Sequence, residues 1–307
     1  MKIEEFTIDS RDNIHQLYAV KYLPEGEPNA IVQIVHGMSE HIGRYQEFAD
    51  FLTQRGYLVT GEDHLGHGRS VPKEEMYGYF CAQDGATVLV RDVHRLKKTL
   101  QQQYPGVPYI ILGHSMGSYI LRNYMCRYGT GIDGAILMGT GMESKAALDA
   151  ARFLSRCIQM VYGEKHLSGL LDKLVFGNYN KRISDPRTPS DWLSKDEDKV
   201  NQYRIDPLCG FRFTINGYRT LFELVNRLYQ QEDSEHLPPH LPVLMMSGEE
   251  DPVGAYGAGV KKAYENLREA GMNKVELKLY PDDRHELLNE TDRQQVMEDI
   301  AAWLNEI

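Results

Sequence analysis

Ser115 is the residue whose chemistry the sequence marks most clearly, because it occupies the centre of a G-x-S-x-G motif at residues 113–117. A short apolar run, Tyr109 to Leu112, precedes the motif, and a segment with helical periodicity begins at Met116. Strand, tight turn and helix in this order are typical of a nucleophile elbow, from which the serine projects. An ordinary glycine-rich turn is the alternative interpretation, but the flanking strand and helix favour a nucleophile.

A serine nucleophile needs a base that takes its proton and an acid that orients the base. His285 follows the last predicted strand, and Asp251 follows the strand before it. The carboxyl ends of parallel strands meet at one edge of the sheet, so the side chains that follow these strands should lie close to Ser115. The sequence therefore predicts a catalytic triad of Ser115, Asp251 and His285.

Four other carboxylates compete with Asp251 for the role of the acid, namely Glu249, Glu250, Asp282 and Asp283. The two glutamates come sooner after their strand than Asp251. The two aspartates precede His285 so closely that pointing back at its ring would be awkward. These positions favour Asp251.

The negative oxygen that forms during acyl transfer needs two preorganised N–H donors. The amide of Met116, directly after the serine, is one candidate. The second donor should come from the loop after an early strand, where Met38 follows Gly37. We therefore predict an oxyanion hole made by the backbone amides of Met38 and Met116, whose side chains could also form apolar pocket wall.

Several polar residues crowd two neighbouring strand ends and could be mistaken for a metal site: His36, His41, Asp63, His64 and His67. Serine chemistry explains the site without a Lewis acid, so hydrogen bonds that support the backbone are the better interpretation of these side chains. We predict neither a metal nor a cofactor.

The elements that position these residues alternate between strands and helices, which predicts an α/β fold with a mostly parallel, eight-stranded sheet and helices on both faces. An antiparallel hairpin is expected near the N-terminus, and the alternating last strand, Val275 to Leu279, should be half exposed near an edge. Residues 1–140 and 236–307 form the predicted core. Residues 141–235 lack a clear strand and are interpreted as a mainly helical cap that acts as a lid; an added structural lobe is the alternative.

Composition excludes several classes of protein. The 307 residues carry a formal net charge of −10 and no run rich in lysine or arginine, which argues against a nucleic-acid partner. The sequence shows no secretory signal and no apolar run of transmembrane length. Its four widely spaced cysteines indicate reduced thiols in a cytoplasmic protein. Transient contact with a membrane surface would require an apolar face on the lid, and the oligomeric state is not predicted.

Five stretches of the chain together resemble the monoacylglycerol lipase and lysophospholipase-like branch of the α/β-hydrolases, often grouped with serine aminopeptidase-like hydrolases. They are His36-Gly37-Met38-Ser39-Glu40-His41 with Gly43-Arg44-Tyr45, Asp63-His64-x-Gly66-His67-Gly68-x-Ser70, Gly113-His114-Ser115-Met116-Gly117, Gly248-x-x-Asp251 and His285-Glu286-x-x-Asn289-Glu290. The resemblance implies hydrolysis of a carboxylic ester through an acyl-enzyme on Ser115, without a cofactor. The predicted cap is longer and more polar than the compact cap of monoacylglycerol lipases.

The leading hypothesis is a serine esterase acting on monoacylglycerol, lysophospholipid or a related acyl ester. An aminopeptidase or amidase on the same scaffold is the alternative, and it would need an acidic group in the lid, such as Glu143 or the cluster Asp196-Glu197-Asp198. A non-catalytic ligand-binding module is disfavoured, because serine, acid and histidine are all present.

Overall fold

The computed structural model describes residues 1–142, 144–231 and 236–307. Its eight strands form one sheet in the order β1-β2-β4-β3-β5-β6-β7-β8. Strands β3 to β8 run parallel, β2 is antiparallel to β4, and β1 completes the N-terminal hairpin with β2. The bounds are β1 (Lys2–Asp9), β2 (Gln16–Leu23), β3 (Ala30–Val35), β4 (Tyr57–Glu62), β5 (Tyr109–His114), β6 (Gly134–Met138), β7 (Val243–Gly248) and β8 (Val275–Tyr280).

Nine α-helices are found in the described residues: α1 (Gln46–Thr53), α2 (Gly85–Gln103), α3 (Met116–Tyr128), α4 (Lys145–Tyr162), α5 (Gly169–Phe176), α6 (Glu197–Ile205), α7 (Ile215–Gln231), α8 (Ala258–Glu269) and α9 (Arg293–Leu304). Helices α1 and α9 share one apolar cluster with one face of the sheet. Helices α2, α3, α7 and α8 share a second cluster with the other face. The sheet is therefore covered on both faces, as the alternation of elements predicts.

The hydrophobic pattern of each strand matches its place in the sheet. All six residues of the central strand β3 are buried, because helices cover both faces there. Strand β8 lies at the edge, and the side chains of its inner four residues are exposed or only partly buried. The predicted edge position of the last strand is confirmed.

Helices α4 to α7 lie between β6 and β7, where the sequence predicts a helical cap. Helix α7 also packs into the core, since Leu224 and Leu228 belong to the same buried cluster as residues of α3. The bounds 141–235 of the cap stay a prediction.

Two further expectations concern the chain as a whole. In the part of the chain that the structure describes, no helix is long and apolar enough to cross a membrane. All four cysteines are free thiols, and Cys81 and Cys126 are buried. The cytoplasmic location stays a prediction.

Candidate active site

Ser115 sits in a strained turn between β5 and α3, with φ 54° and ψ −120°. A non-glycine residue in such a conformation costs about 1–3 kcal/mol, so the surrounding packing must hold it there. The Ser115 amide donates to the Met138 carbonyl at 2.9 Å. A Cβ at Gly117 would collide with the carbonyl oxygen of Val35, and one at Gly113 would collide with that of Gly117. The two glycines therefore allow α3 to start directly against the end of the sheet.

Asp251 and His285 form a buried pair at the same edge of the sheet. His285 Nδ1–H donates to Asp251 Oδ2 at 2.9 Å, and the side chains are 2% and 0% exposed. The second carboxylate oxygen of Asp251 accepts the Val253 amide at 2.8 Å. With Nδ1 carrying the proton, Nε2 of His285 is left as an acceptor in the cavity that also exposes Ser115.

The competing carboxylates are placed elsewhere. Glu249, Glu250 and Asp282 are exposed. Asp283 is buried, but its Oδ1 accepts from Lys195 Nζ at 2.6 Å rather than from His285, and burial raises the pKa of Asp283 to about 6. In the described residues, Asp251 is thus the carboxylate that bonds the His285 ring.

The amides of Met38 and Met116 have no hydrogen-bond acceptor among the described residues, and both residues line the cavity beside Ser115. Gly37 brings the first of them close, since a Cβ at that position would lie 3.1 Å from the Cβ of Ser115. Two unengaged N–H groups next to a serine are what an oxyanion hole requires. The roles of these two amides, and those of Ser115, Asp251 and His285, stay a prediction.

Glu40 holds the loop that carries Met38, a function that the sequence did not reveal. Its buried carboxylate accepts from the Gly37 amide at 2.6 Å, Tyr45 Oη at 2.8 Å, His114 Nδ1 at 3.1 Å and Arg44 Nη1 at 2.7 Å. Burial disfavours the charged forms of Glu40 and His114. Even so, His114 and Arg44 hold the pKa of Glu40 well below its usual range, and Glu40 raises the pKa of His114. Glu40 and His114 are therefore a buried, hydrogen-bonded pair next to the serine.

Arg44 extends this cluster to the histidine loop. Its guanidinium bonds both carboxylate oxygens of Glu286, at 2.6 and 2.7 Å, and Glu286 is the neighbour of His285. Nε2 of His114 lies 3.3 Å from the carbonyl oxygen of His285. One charged cluster thus ties together the loops that carry the serine, the oxyanion donors and the base.

Trp192 from the cap segment packs on His285, with ring centroids 5.0 Å apart. The His285 amide donates to the Trp192 carbonyl at 3.4 Å, and the next amide, that of Glu286, donates to Leu193 at 2.8 Å. The sequence assigns this stretch to the predicted cap and does not predict its contact with His285. Its tryptophan, in a chain with only two, was the available signal.

The histidines near β3 and β4 form hydrogen bonds that support the backbone, as predicted from the sequence. His36 Nε2 accepts the His64 amide at 3.1 Å, and His64 Nε2 donates to the His36 carbonyl at 3.2 Å. His67 accepts the Ser39 amide at 3.2 Å and donates to the Leu65 carbonyl at 2.9 Å. Burial lowers the pKa of His64 to about 3 and that of His67 to about 4, so both rings are neutral at pH 7.

The other two members of this candidate metal set also contact protein groups. Asp63 accepts the amides of Ile42 and Arg69 at 2.8 and 2.7 Å. His41 accepts the Gly43 amide at 3.2 Å and donates to Asp206 at 2.9 Å. Both ring nitrogens of His41 are used in these hydrogen bonds, so we assign it no metal. The absence of a metal stays a prediction.

The cavity beside Ser115 has a volume of about 500 Å³. Its wall is mostly apolar and comes largely from the cap helices, with Leu148, Ala151, Leu174, Leu221, Phe222 and Val225 among its members. Ser115 and His285 lie in the same wall. The arrangement can bind an apolar chain and present a carbonyl carbon to the serine.

An elbow serine, a buried histidine–aspartate pair and this sheet order define an α/β-hydrolase. A family model described as serine aminopeptidase, S33, matches residues 26–292. A monoglyceride lipase homolog of Monkeypox virus is 30% identical over 94% of each chain, and monoglyceride lipase of Mus musculus is 29% identical over 94% of this chain and 86% of its own. The crystal structure of a carboxyl esterase from Bacillus coagulans in complex with glycerol superimposes with a TM-score of 0.91, 32% identity and coverage of 100% and 99%.

The chain therefore belongs to the monoacylglycerol lipase-like, serine aminopeptidase S33 family of α/β-hydrolases. The predicted family and fold class are confirmed.

Proposed function

We propose that this protein hydrolyses esters of single acyl chains, monoacylglycerol foremost, through an acyl-enzyme on Ser115. Membership of the family makes it a carboxylic-ester hydrolase, and the proposal concerns mechanism and substrate. The observation that carries it is the apolar cavity of about 500 Å³ with Ser115 and His285 in its wall. Such a cavity accommodates one acyl chain with its carbonyl at the serine.

In the proposed mechanism Ser115 Oγ attacks the ester carbonyl while His285 Nε2 takes the hydroxyl proton. Asp251 orients the ring and stabilises its positive charge, and the Met38 and Met116 amides donate to the oxyanion. His285 then passes its proton to the departing alcohol as the C–O bond breaks. Water, deprotonated by His285, attacks the acyl-serine and releases the fatty acid with Ser115 restored.

The names of the relatives support a glycerol ester as substrate. The related proteins of Monkeypox virus and Mus musculus are named for monoglyceride hydrolysis, and the Bacillus coagulans esterase was crystallised with glycerol. Lysophospholipid, which also presents one acyl chain on a polar alcohol, remains within the proposal.

Contact with a lipid surface is part of the same proposal. Seven of the twelve exposed large apolar side chains in the described residues lie on α4, α5 and the loop between them: Phe153, Met160, Val161, Tyr162, Leu167, Leu170 and Leu174. We call this set the apolar cap face. Leu174 also lines the cavity, and the exposed cations Lys165 and Lys173 lie beside it. A face of this kind, continuous with the acyl cavity, suits docking on a lipid–water surface that supplies the substrate.

Aminopeptidase activity is the second candidate, favoured only by the description of the family model. Among the acidic groups suggested for binding a substrate amine, Glu143 lies outside the described residues. The cluster 196–198 does not line the cavity, and Asp196 instead caps α6 and contacts Arg293 at 3.2 Å. The cavity therefore favours the ester.

The proposal is tested by comparing turnover of monoacylglycerols of increasing chain length, lysophosphatidylcholine and aminoacyl p-nitroanilides, with Ser115→Ala as the blank. We expect monoacylglycerol to have the highest kcat/KM, with an optimum chain length that reflects the cavity. Preference for the anilide would reject the ester in favour of the aminopeptidase.

A further inference from the structure

A second cavity, of about 300 Å³, is lined by other residues of the cap helices α4 and α7 than those that line the acyl cavity. It lies between α4, α7 and the start of α2, is partly open to solvent, and has a mostly polar lining. Four arginines take part, namely Arg152, Arg156, Arg219 and Arg227, together with three acids, Asp84, Glu164 and Glu223. Its lining thus has one surplus positive charge in a protein whose net charge is −10.

The three acids are already engaged by other groups. Glu223 accepts from Arg152 at 2.9 Å and from Arg227 at 3.3 Å. Asp84 accepts from Arg227 at 2.6 Å. Glu164 accepts from a tyrosine hydroxyl at 2.9 Å. None of these three acids forms an ion pair with Arg156 or Arg219.

Arg156 has no hydrogen-bond or ion-pair partner among the described residues, and Arg219 bonds only the side-chain oxygen of Gln159. Two guanidinium groups without a carboxylate therefore converge on one cavity. Arg156 is exposed and Arg219 is partly buried, so both guanidinium groups are accessible to an anion from solvent and have no carboxylate of the described residues to displace.

Uncharged hydrogen-bond donors also line this cavity. Thr220 is only 7% exposed, lines the cavity, and its hydroxyl has no partner in the described chain. Gly85 and Ala86 begin the 19-residue helix α2, line the cavity, and their amides have no acceptor among the described residues. The first amides of a helix, at the positive end of its dipole, favour an anionic oxygen.

We propose that this polar cavity binds a phosphoryl group, with Arg156 and Arg219 supplying charge and the Thr220 hydroxyl and the first amides of α2 completing the donors. Guanidinium forks bind phosphate oxygens in pairs, and donors on three elements match three phosphoryl oxygens better than the two of a carboxylate. The group comes either from a water-soluble phosphate ester or from a phospholipid head group.

Occupation of this cavity would affect the cap. Leu148 and Ala151 of α4, and Phe222 and Val225 of α7, line the acyl cavity, while other residues of the same helices line the polar cavity. A bound phosphoryl group would bridge α4, α7 and α2 and so restrain the helices that shape the acyl pocket. The binding itself does not depend on the proposed ester hydrolysis.

The test is titration calorimetry with inorganic phosphate and glycerol 3-phosphate, and co-sedimentation with phosphatidylcholine vesicles containing or lacking phosphatidic acid, at fixed ionic strength. Arg156→Gln, Arg219→Gln and Thr220→Val remove one donor group each. Arg204→Gln, which removes the charge of an exposed arginine outside this cavity, is the matched control.

Saturable binding that each cavity arginine variant weakens by about tenfold or more, and that Arg204→Gln leaves unchanged, is the expected result. Binding of the soluble probes identifies a free phosphate ester, and binding only to phosphatidic acid vesicles identifies a head group. No binding of either kind, or binding equal in the cavity variants, would overturn the site. If Arg219→Gln fails to fold, Arg156→Gln decides, because that side chain has no partner to lose.

Discussion

Glu40 shows how a single buried carboxylate can fix a backbone donor. Its oxygens hold the Gly37 amide, the His114 ring and Arg44, and the Met38 amide follows Gly37 directly. The amide that would stabilise the oxyanion is thus placed by a side chain rather than by regular secondary structure. Preorganisation of this kind is where electrostatic catalysis gains most of its effect.

Glu40→Gln should therefore lower kcat by about 10²-fold or more while changing KM little, since losing one oxyanion donor costs about that much. The measurement is steady-state hydrolysis of a p-nitrophenyl ester. Glu249→Gln, an exposed acid at the same edge of the sheet, is the control. A folded Glu40→Gln enzyme with unchanged kcat would show that Glu40 does not position the donor.

At the scale of elements, the loops after β3 and β4 are held by neutral histidines. His67 is packed between Phe80, Phe211 and Phe213, and its ring bonds two backbone groups. Burial lowers the pKa of His67 to about 4. The folded-state pKa thus lies below that of the unfolded chain, about 6.5. The unfolded state binds the proton first as the pH falls, so the stability that His67 contributes is present above pH 6.5 and lost toward pH 4.

The difference between the folded and unfolded pKa values of His67 corresponds to about 2 kcal/mol of the free energy of unfolding that is lost between pH 8 and pH 5. His67→Gln should remove that part of the pH dependence, whatever its effect at pH 8. Urea denaturation of both proteins at several pH values measures it, with the exposed His240→Gln as control. Parallel stability curves for the wild type and His67→Gln would contradict the neutral, buried ring.

The sequence predicts elements and strand ends well because they depend on local patterns. Apolar runs, helical periodicity and the two glycines of the elbow were sufficient to predict the strands and helices of the sheet. The predicted strand ends then indicated Ser115, Asp251 and His285 as candidates. The contact between Arg44 and Glu286 spans 242 positions and depends on tertiary packing. The partner of Trp192 was equally beyond reach, because no local pattern predicts which loop an irregular segment of the cap will contact.

At the scale of the whole molecule, a net charge of −10 is combined with an apolar cap face. The side chains of this face are 52–80% exposed, so their burial in a lipid surface would stabilise the bound state. The overall charge opposes approach to an anionic membrane, and the apolar contact must therefore provide the affinity.

Replacing Phe153 and Met160 with serine should weaken binding to phosphatidylcholine vesicles by about tenfold or more, since each side chain gives up roughly 1.5–3 kcal/mol of burial at most. Hydrolysis of a soluble short-chain ester should stay within about twofold, because neither residue lines the acyl cavity. Ile14→Ser and Ile205→Ser, at exposed apolar residues outside this face, are the matched controls. Equal vesicle binding by the double variant would exclude this face as the docking surface.

The central claim is that Ser115 forms the acyl-enzyme, and fluorophosphonate labelling followed by peptide mapping tests it most directly. Ser118→Ala is the matched control, since Ser118 lies one turn along α3 and donates its hydroxyl to the Ser115 carbonyl at 2.6 Å. We expect the label on the peptide that contains Ser115, its loss in Ser115→Ala, and its retention in Ser118→Ala. Labelling that persists in folded Ser115→Ala, or that maps to another serine, would contradict the account.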